Sequence, residues 1–341
     1  MRSIYSITRK KLEEYFESIN EKKFRATQVF EWIYRKNVRS FDEMSNLSKD
    51  VINKLKEEFE FNELKIVTKE EDELVKKYLF ELGDGNKIES VLMEHDYGLS
   101  ICISSQIGCN MGCKFCESGR LKKVRNLTVD EMLLQVMEVE KDVNERISHV
   151  VIMGIGEPFD NYDNFIDFMN LVIDPYSLAI GQRHITVSTS GIVPKIKEFA
   201  DLETGVNLAI SLHAPNNALR SLIMRINNTY KIEDIIKAVK YYISKTNRRV
   251  TFEYIMLDGV NDSEKNAKEL ADLLRGINCY VNLIPYNETE NIEFKRSNIS
   301  QIGKFYDILK KNNINVTIRR EFGSKVSAAC GQLRAKTYEG E

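Results

Sequence analysis

Apolar positions change their period twice along this chain. In KLEEYFESI, ATQVFEWIYRK and LSKDVINKLKEEF they recur every three or four residues, as on amphipathic helices, and Ser48 stands where the third helix needs an N-cap. The pattern predicts a small helical domain over residues 1–60. Between residues 61 and 97 the period shortens to that of strands. There LKIVTKE, VKKYLFELG and KIESVLMEH flank the turn pair Asp84-Gly85, which predicts a short antiparallel ribbon connecting the helical domain to the rest. From about residue 98 to 320, apolar β-type runs (LSICISS, HVVIMG, RHITVS, VNLAISL, RVTFEYIML, CYVNLIPY, INVTIRR) alternate with helical segments. These are VDEMLLQVMEVEKDV, NYDNFIDFMNLVI, IEDIIKAVKYYISKT, EKNAKELADLLRG and SQIGKFYDILKKN. Strand and helix at this spacing build parallel βαβ units, hence a doubly wound sheet or a barrel, and the strand count favours the barrel. Residues 321–341 are left as a tail. In such folds chemistry gathers just beyond the carboxyl ends of the strands.

Composition narrows the class without naming a reaction. The 341 residues are 43% hydrophobic and 29% charged, which is ordinary for a globular protein and excludes wholesale disorder. Neither a signal peptide nor an apolar stretch of bilayer length is present, so a cytoplasmic protein with no membrane partner is expected. Forty-nine basic against fifty-one acidic side chains give a net charge of -2; a nucleic-acid partner would have to be held by local patches.

The cysteines change the picture. Four of six, Cys102, Cys109, Cys113 and Cys116, crowd into one short stretch; Cys279 and Cys330 lie far away. In a reducing compartment such crowding points to metal or redox chemistry before structural disulfides. GCNMGCKFCESG sets Cys109, Cys113 and Cys116 on one loop after the first parallel strand. No fourth Cys or His stands at a spacing that would complete a zinc site. Three thiolates suit a 4Fe-4S cluster with one iron left open.

CNMGCKFC resembles the signature of the radical S-adenosylmethionine (radical SAM) superfamily, with Phe115 before the third cysteine. FRATQVFEWIYRK, SFDEMSNLS, CISSQIGCNMGCKFC, MGIGEP, STSGIVP, LAISLHAPN, YIMLDGVND, NLIPYN and SAACGQL together resemble the RlmN/Cfr family of 23S rRNA adenosine methyltransferases, over nearly the whole chain. The resemblance implies an α/β fold, a partial (β/α)6 barrel carrying a small N-terminal helical domain and a short β ribbon. It also implies a 4Fe-4S cluster on Cys109, Cys113 and Cys116, and two molecules of SAM consumed per methylation. SAM contacts carry over to Gly156 and Glu157 of MGIGEP, to Ser188, to Ser211, Leu212 and His213, and to Asn287. Cys330 is implied to accept a methyl group as S-methylcysteine. Cys102 is then the cysteine that deprotonates the adduct and releases it, leaving a transient Cys102–Cys330 disulfide. Glu89 matches a proton acceptor. The glycines of MGIGEP are expected to let backbone approach a ligand closely.

Other readings stand beside these. Taken alone, Cys102 and Cys330 are core cysteines, as Cys279 is read to be, and His213 is a satisfied buried histidine. Glu89 alone is one more charge on a ribbon. For RNA, the best local patch is GRLKKVRN, with Arg120, Lys122, Lys123 and Arg125; Arg319-Arg320, TRKK and EKKFRATQ are further candidates. A target adenine has to be unstacked to reach a barrel interior. The family resemblance leads us to expect methylation at adenine C2 of 23S rRNA, with a tRNA adenosine open as a second substrate. Its rival is C8, the product of the antibiotic-resistance branch. A protein-activating radical SAM enzyme and a non-enzymatic metal-cluster RNA-binding protein are the alternatives of other classes. A monomer supplied with electrons by flavodoxin or ferredoxin is expected.

Overall fold

A computed structural model of the protein describes residues 1–120, 122–289 and 291–319. The predicted Cys330, Arg320 and tail therefore lie outside the described residues. The N-terminal residues form α1 (Arg9–Ser18), α2 (Phe24–Phe30) and α3 (Lys49–Glu58); the Ser48 hydroxyl accepts from Val51 N at 3.3 Å as the N-cap. ATQVFEWIYRK does not run as one α-helix: α2 widens into a π-type turn over Glu31–Arg35.

Besides two short two-stranded pairs, Arg2–Ser3 with Phe59–Glu60 and Gln106–Ile107 with Arg125–Asn126, the strands form one ten-stranded sheet. They are β1 (Lys65–Asp72), β2 (Val75–Glu81), β3 (Lys87–His95), β4 (Gly98–Ile103), β5 (Ile147–Ile152), β6 (Ile185–Thr189), β7 (Asn207–Ser211), β8 (Val250–Met256), β9 (Cys279–Pro285) and β10 (Val316–Ile318), and their spatial order is their chain order. β4 through β10 are parallel. β1, β2 and β3 pair antiparallel and join the same sheet, since β3 pairs with β4 from Val91↔Cys102 to His95↔Gly98. The expected connecting ribbon is thus an edge of the core, because its inward side chains are apolar or paired and need the sheet to cover them.

Helices α4 (Glu117–Arg120), α5 (Val129–Val143), α6 (Tyr162–Ile173), α7 (Val193–Asp201), α8 (Asn217–Ile223), α9 (Ile232–Thr246), α10 (Glu264–Leu274) and α11 (Ile299–Lys311) lie between the parallel strands. The long ones pack on one face only. Ile101, Ile103, Val150, Ile152, Val187, Leu208, Ile210, Phe252, Tyr254, Val281 and Leu283 share a single core with these helices. Strand side chains alternate between faces, so the residues between them point the other way. Right-handed crossovers in a sheet laid down in chain order always return on the same side, which leaves the second face free of the long helices among the described residues. That inner face carries Cys102, Ser188, Ser211, Glu253 and Asn282, where a packed barrel would carry Val, Ile and Leu.

Candidate active site

The site is built at the carboxyl ends of β4 to β7. Past β4 the chain bonds back on itself, Gln106–Ile107 pairing with Arg125–Asn126, and so closes the cysteine loop into a single excursion. Gln106 ties that base to its neighbours: its Oε1 accepts from Glu157 N at 2.9 Å and its Nε2 donates to Asn126 Oδ1 and Asp160 Oδ2, each at 2.8 Å. Both glycines of MGIGEP are demanded by this contact. A Cβ on Gly154 would sit 2.6 Å from the Ile103 carbonyl, and one on Gly156, at φ +114°, would sit 2.7 Å from Gln106 N. Close packing of two strand-end turns, which the sequence reading did not consider, therefore requires glycine there whatever ligand approaches.

The loop holds its three thiols against α8. Lys114 N donates to Ile223 O at 2.9 Å, Cys113 bridges Met224, and Cys116 N donates to Cys113 O at 3.2 Å. Burial pushes the Cys109 thiol up to about 12, with Cys116 adding to the effect. Burial, then Cys116 and Cys109, hold Cys113 well above its ordinary value. A negative charge on one cysteine opposes ionisation of its neighbours, so positive charge at the loop would favour the thiolates. Among the described residues no three His, Cys, Asp or Glu side chains converge as they would on a single ion. A multi-iron cluster asks for something else, one thiolate on each of several irons. Two buried polar atoms next to the third cysteine, Glu117 Oε1 and Ser118 Oγ, have no hydrogen-bond partner among the described residues. Three coupled thiols and polar atoms left to be satisfied fit a 4Fe-4S cluster at this loop.

The residues expected around SAM are linked along the rim. Glu157 is 3% exposed and accepts from Phe159 N at 3.0 Å and from Ser190 N, beyond β6, at 2.6 Å. Burial raises its carboxyl pKa, and the hydrogen bonds from Ser190, Thr189 and Phe159 oppose this. Ser188 Oγ and Ser211 Oγ face each other at 3.3 Å on β6 and β7. Leu212 N and His213 N both donate to Glu253 O, and His213 stands at φ +57°, a left-handed conformation that a non-glycine residue keeps only when its surroundings fix it. Ile255 N donates to His213 Nδ1 at 3.0 Å, which sets the tautomer with the proton on Nε2. Burial, helped by the Arg220 charge, lowers His213 to about 3, so the ring is neutral. It meets the edge of Phe115 at 4.9 Å between centroids. Asn287 follows β9 by one residue beyond Tyr286, which packs in a small apolar cluster that Cys113 and Phe115 also touch.

Two expected residues lie deeper on the inner face. Cys102 is buried in a group with Val75 and Met93, apart from the main core. Glu89, 3% exposed, is ion-paired at 3.0 Å with Lys77, itself 2% exposed, so it is no surface charge of a ribbon. Cys279 packs in the main core, where burial pushes its thiol up to about 11.

The expected basic patch is largely neutralised. Arg120 pairs with Glu117 at 3.0 Å, Lys123 with Asp160 at 2.7 Å, and Arg125 with both Glu131 and Asp84. Only Lys122 of the four has no ion pair among the described residues. In TRKK and EKKFRATQ, Arg9 is paired with Glu13 and Asp174, Lys11 with Asp167 and Lys23 with Glu17, whereas Lys10 and Lys22 have no ion pair among the described residues. A run of basic letters conceals partners distant in sequence.

Several buried residues escaped the sequence reading. Glu253, whose carboxyl is raised by burial, accepts from Asn282 Nδ2 at 2.8 Å on the inner face. Its signal was present, a charge in the middle of the apolar run VTFEYIML. Arg220 is fully buried on α8, and nothing in NALRSLI distinguishes it from an ordinary helix residue.

Residues 103–271 match the radical SAM superfamily, and residues 3–61 match the ribosomal RNA large subunit methyltransferase N-terminal domain. The chain is 56% identical over 348 residues to the probable dual-specificity RNA methyltransferase RlmN of Enterococcus faecalis, covering 99% of this chain and 98% of that one. To the protein of the same name from Listeria welshimeri it is 56% identical over 344 residues, covering 98% and 94%. A crystal structure of a radical SAM methyltransferase from Sphaerobacter thermophilus superposes with a TM-score of 0.90 at 39% identity, over 97% of this chain and 99% of the other.

Proposed function

The chain belongs to the RlmN family of radical SAM ribosomal RNA methyltransferases, and from that membership we propose that it methylates an adenosine of 23S rRNA at C2, with a tRNA adenosine as a second substrate. The name of these relatives, dual-specificity RNA methyltransferase, supports two RNA substrates. MGIGEP, SLHAPN and FEWIYRK support the C2-directed branch.

Cys109, Cys113 and Cys116 would hold a 4Fe-4S cluster, which supplies the electron that cleaves SAM to a 5′-deoxyadenosyl radical. The chain's own residues do the rest. Gly156, Glu157, Ser188, Ser211, Leu212, His213 and Asn287 orient SAM, and neutral His213 can donate through Nε2 without adding charge beside the sulfonium. Cys330 carries the methyl group to the adenine. Cys102 takes the proton from the adduct, and its thiolate then attacks the Cys330 sulfur, so that the S–S bond forms as the S–C bond breaks and the departing carbon takes up a proton to become the methyl group; the Cys102–Cys330 disulfide is left for reduction. Glu89, ion-paired with Lys77, is a second proton acceptor near the base. Two SAM molecules are consumed per methylation, flavodoxin or ferredoxin supplies electrons, and the protein works as a cytoplasmic monomer.

The observation that supports this reading most directly is the position of Cys102. A packing cysteine would lie with Ile101 and Ile103 under the helices, whereas Cys102 is on the opposite face, with Ser188 and Ser211. The test is mass spectrometry of 23S rRNA from cells with and without this gene. A methyl that vanishes from adenine C2 supports the proposal; one that vanishes from C8 assigns the resistance-type reaction. An unchanged ring removes rRNA as substrate. In Cys102→Ala, an RNA–protein crosslink that disappears when Cys330 is also replaced is expected, and normal turnover would return Cys102 to packing.

A further inference from the structure

Arg220 is a buried cation without an anion. Its exposure is 0%, and no carboxylate among the described residues lies within ion-pair distance. Its donors go instead to neutral acceptors: Nε to Leu212 O at 3.1 Å, Nη1 to Asn227 Oδ1 at 3.3 Å, and Nη2 to Ser190 O at 2.5 Å and Ser211 O at 3.2 Å. Burying an uncompensated guanidinium is expensive, and structures rarely keep one without something negative nearby. The neighbouring group that can become negative is the cysteine loop. Arg220 O accepts from Met224 N at 2.7 Å, Met224 is bridged to Cys113, and Ile223 O receives Lys114 N. A Cβ added to Gly191 would stand 3.4 Å from Arg220 Nη2, so the guanidinium is wedged between the ends of β6 and β7 and α8.

We propose that Arg220 is the fixed counter-charge of the cluster loop and a positioning residue for the SAM rim, raising the cluster's reduction potential while it ties the ends of β6 and β7 together. The proposal rests on the cluster reading above. A cluster on three thiolates is anionic and gains a further negative charge on reduction, so a nearby fixed cation favours the reduced state. Burial lowers the Arg220 pKa to about 10, opposed by the Cys113 charge, and the group remains a cation at neutral pH. The three backbone carbonyls it binds belong to Ser190, Ser211 and Leu212, the same two strand ends that carry Ser188 and His213.

The test is a potentiometric titration of the anaerobically reconstituted full-length protein, followed by electron paramagnetic resonance. In Arg220→Gln the equilibrium constant for reduction should fall at least tenfold, about 59 mV for one electron, and Arg220→Lys should change it less than twofold. Should the glutamine variant fail to fold, Asn227→Asp decides, because it leaves Arg220 in place and sets a carboxylate against it; the same downward shift is expected. Cluster-loaded Asn227→Asp or Arg220→Gln with a wild-type potential overturns the inference. Iron and sulfide analysis of the wild type separates the two levels: no cluster there defeats the cluster reading itself, while an intact cluster with an unmoved potential defeats only the role of Arg220.

Discussion

His213 takes its protonation state from burial, and this has a measurable sign. The native ring binds a proton only near pH 3, whereas an unfolded histidine binds one near 6.5. Between those values the unfolded chain holds the extra proton, so stability rises with pH through this window and falls as pH drops from about 6.5. His213→Gln should flatten that slope, removing on the order of 3 kcal/mol of acid destabilisation at pH 4; urea unfolding at pH 4, 5 and 7 measures it. An unchanged slope would mean the ring is solvated in the native state. At this scale the sequence was most legible where residue type and spacing act together, as in the cysteine triplet. It was opaque for Arg220 and Lys77, whose meaning lies in what surrounds them after folding.

The turn after β5 illustrates how an element is constrained from outside. Gly154→Ala would drive a Cβ into the Ile103 carbonyl, and Gly156→Ala would add a disfavoured φ to a clash with Gln106 N. Each should cost more than about 2 kcal/mol. Gly181→Ala, with nothing within 4 Å and an ordinary φ, should change stability by less than about 0.5 kcal/mol. Chemical denaturation of the three variants checks the ranking. The basic segment divides in the same way. Lys122→Ala should lower the salt dependence of RNA binding by about one phosphate contact. Lys123→Ala should act through the released Asp160 and so shift thermal stability. Equal effects of the two on RNA affinity would contradict the division. The strand runs and the five long helices were readable because their apolar period is strong, and α5 and α9 span the residues read from it. The seven-residue α8 and four-residue α4 are too short to show a period, and they are stabilised by contact with the cysteine loop.

The helical domain shares the main apolar core with the sheet and its helices and is tied to them by buried polar contacts as well. Asp130, at the start of α5, is 3% exposed and accepts from Ser6 Oγ at 2.8 Å and Asn62 Nδ2 at 2.7 Å, while Arg39 reaches Glu138 at 2.7 Å. Burial pushes the Asp130 carboxyl up, and the donors from Thr128, Ser6 and Asn62 more than reverse it, leaving the pKa below its ordinary value. Its contribution is therefore present above about pH 4 and lost as pH falls below that. Asp130→Ala leaves these donors unpaired and should cost about 2 to 3 kcal/mol; limited proteolysis should then release residues 1–60 at lower urea than in the wild type, and an unaltered cleavage pattern would show that the apolar contacts suffice. Such long-range pairings were invisible in the sequence, whereas the helical and alternating halves were plain. The strand order has a consequence for synthesis. Because neighbours in the sheet are neighbours in the chain, each strand leaving the ribosome can add to an edge already formed, without waiting for a distant partner. The sheet can thus grow in one direction, from the eight-residue edge strand β1 to the three-residue β10, and the short last strand offers another chain little to pair with on its side. Cys109, Cys113 and Cys116 emerge long before Asn287 and the far wall exist, so the nascent chain passes through an interval in which its cysteine loop is accessible from solvent and its later enclosure is not yet built.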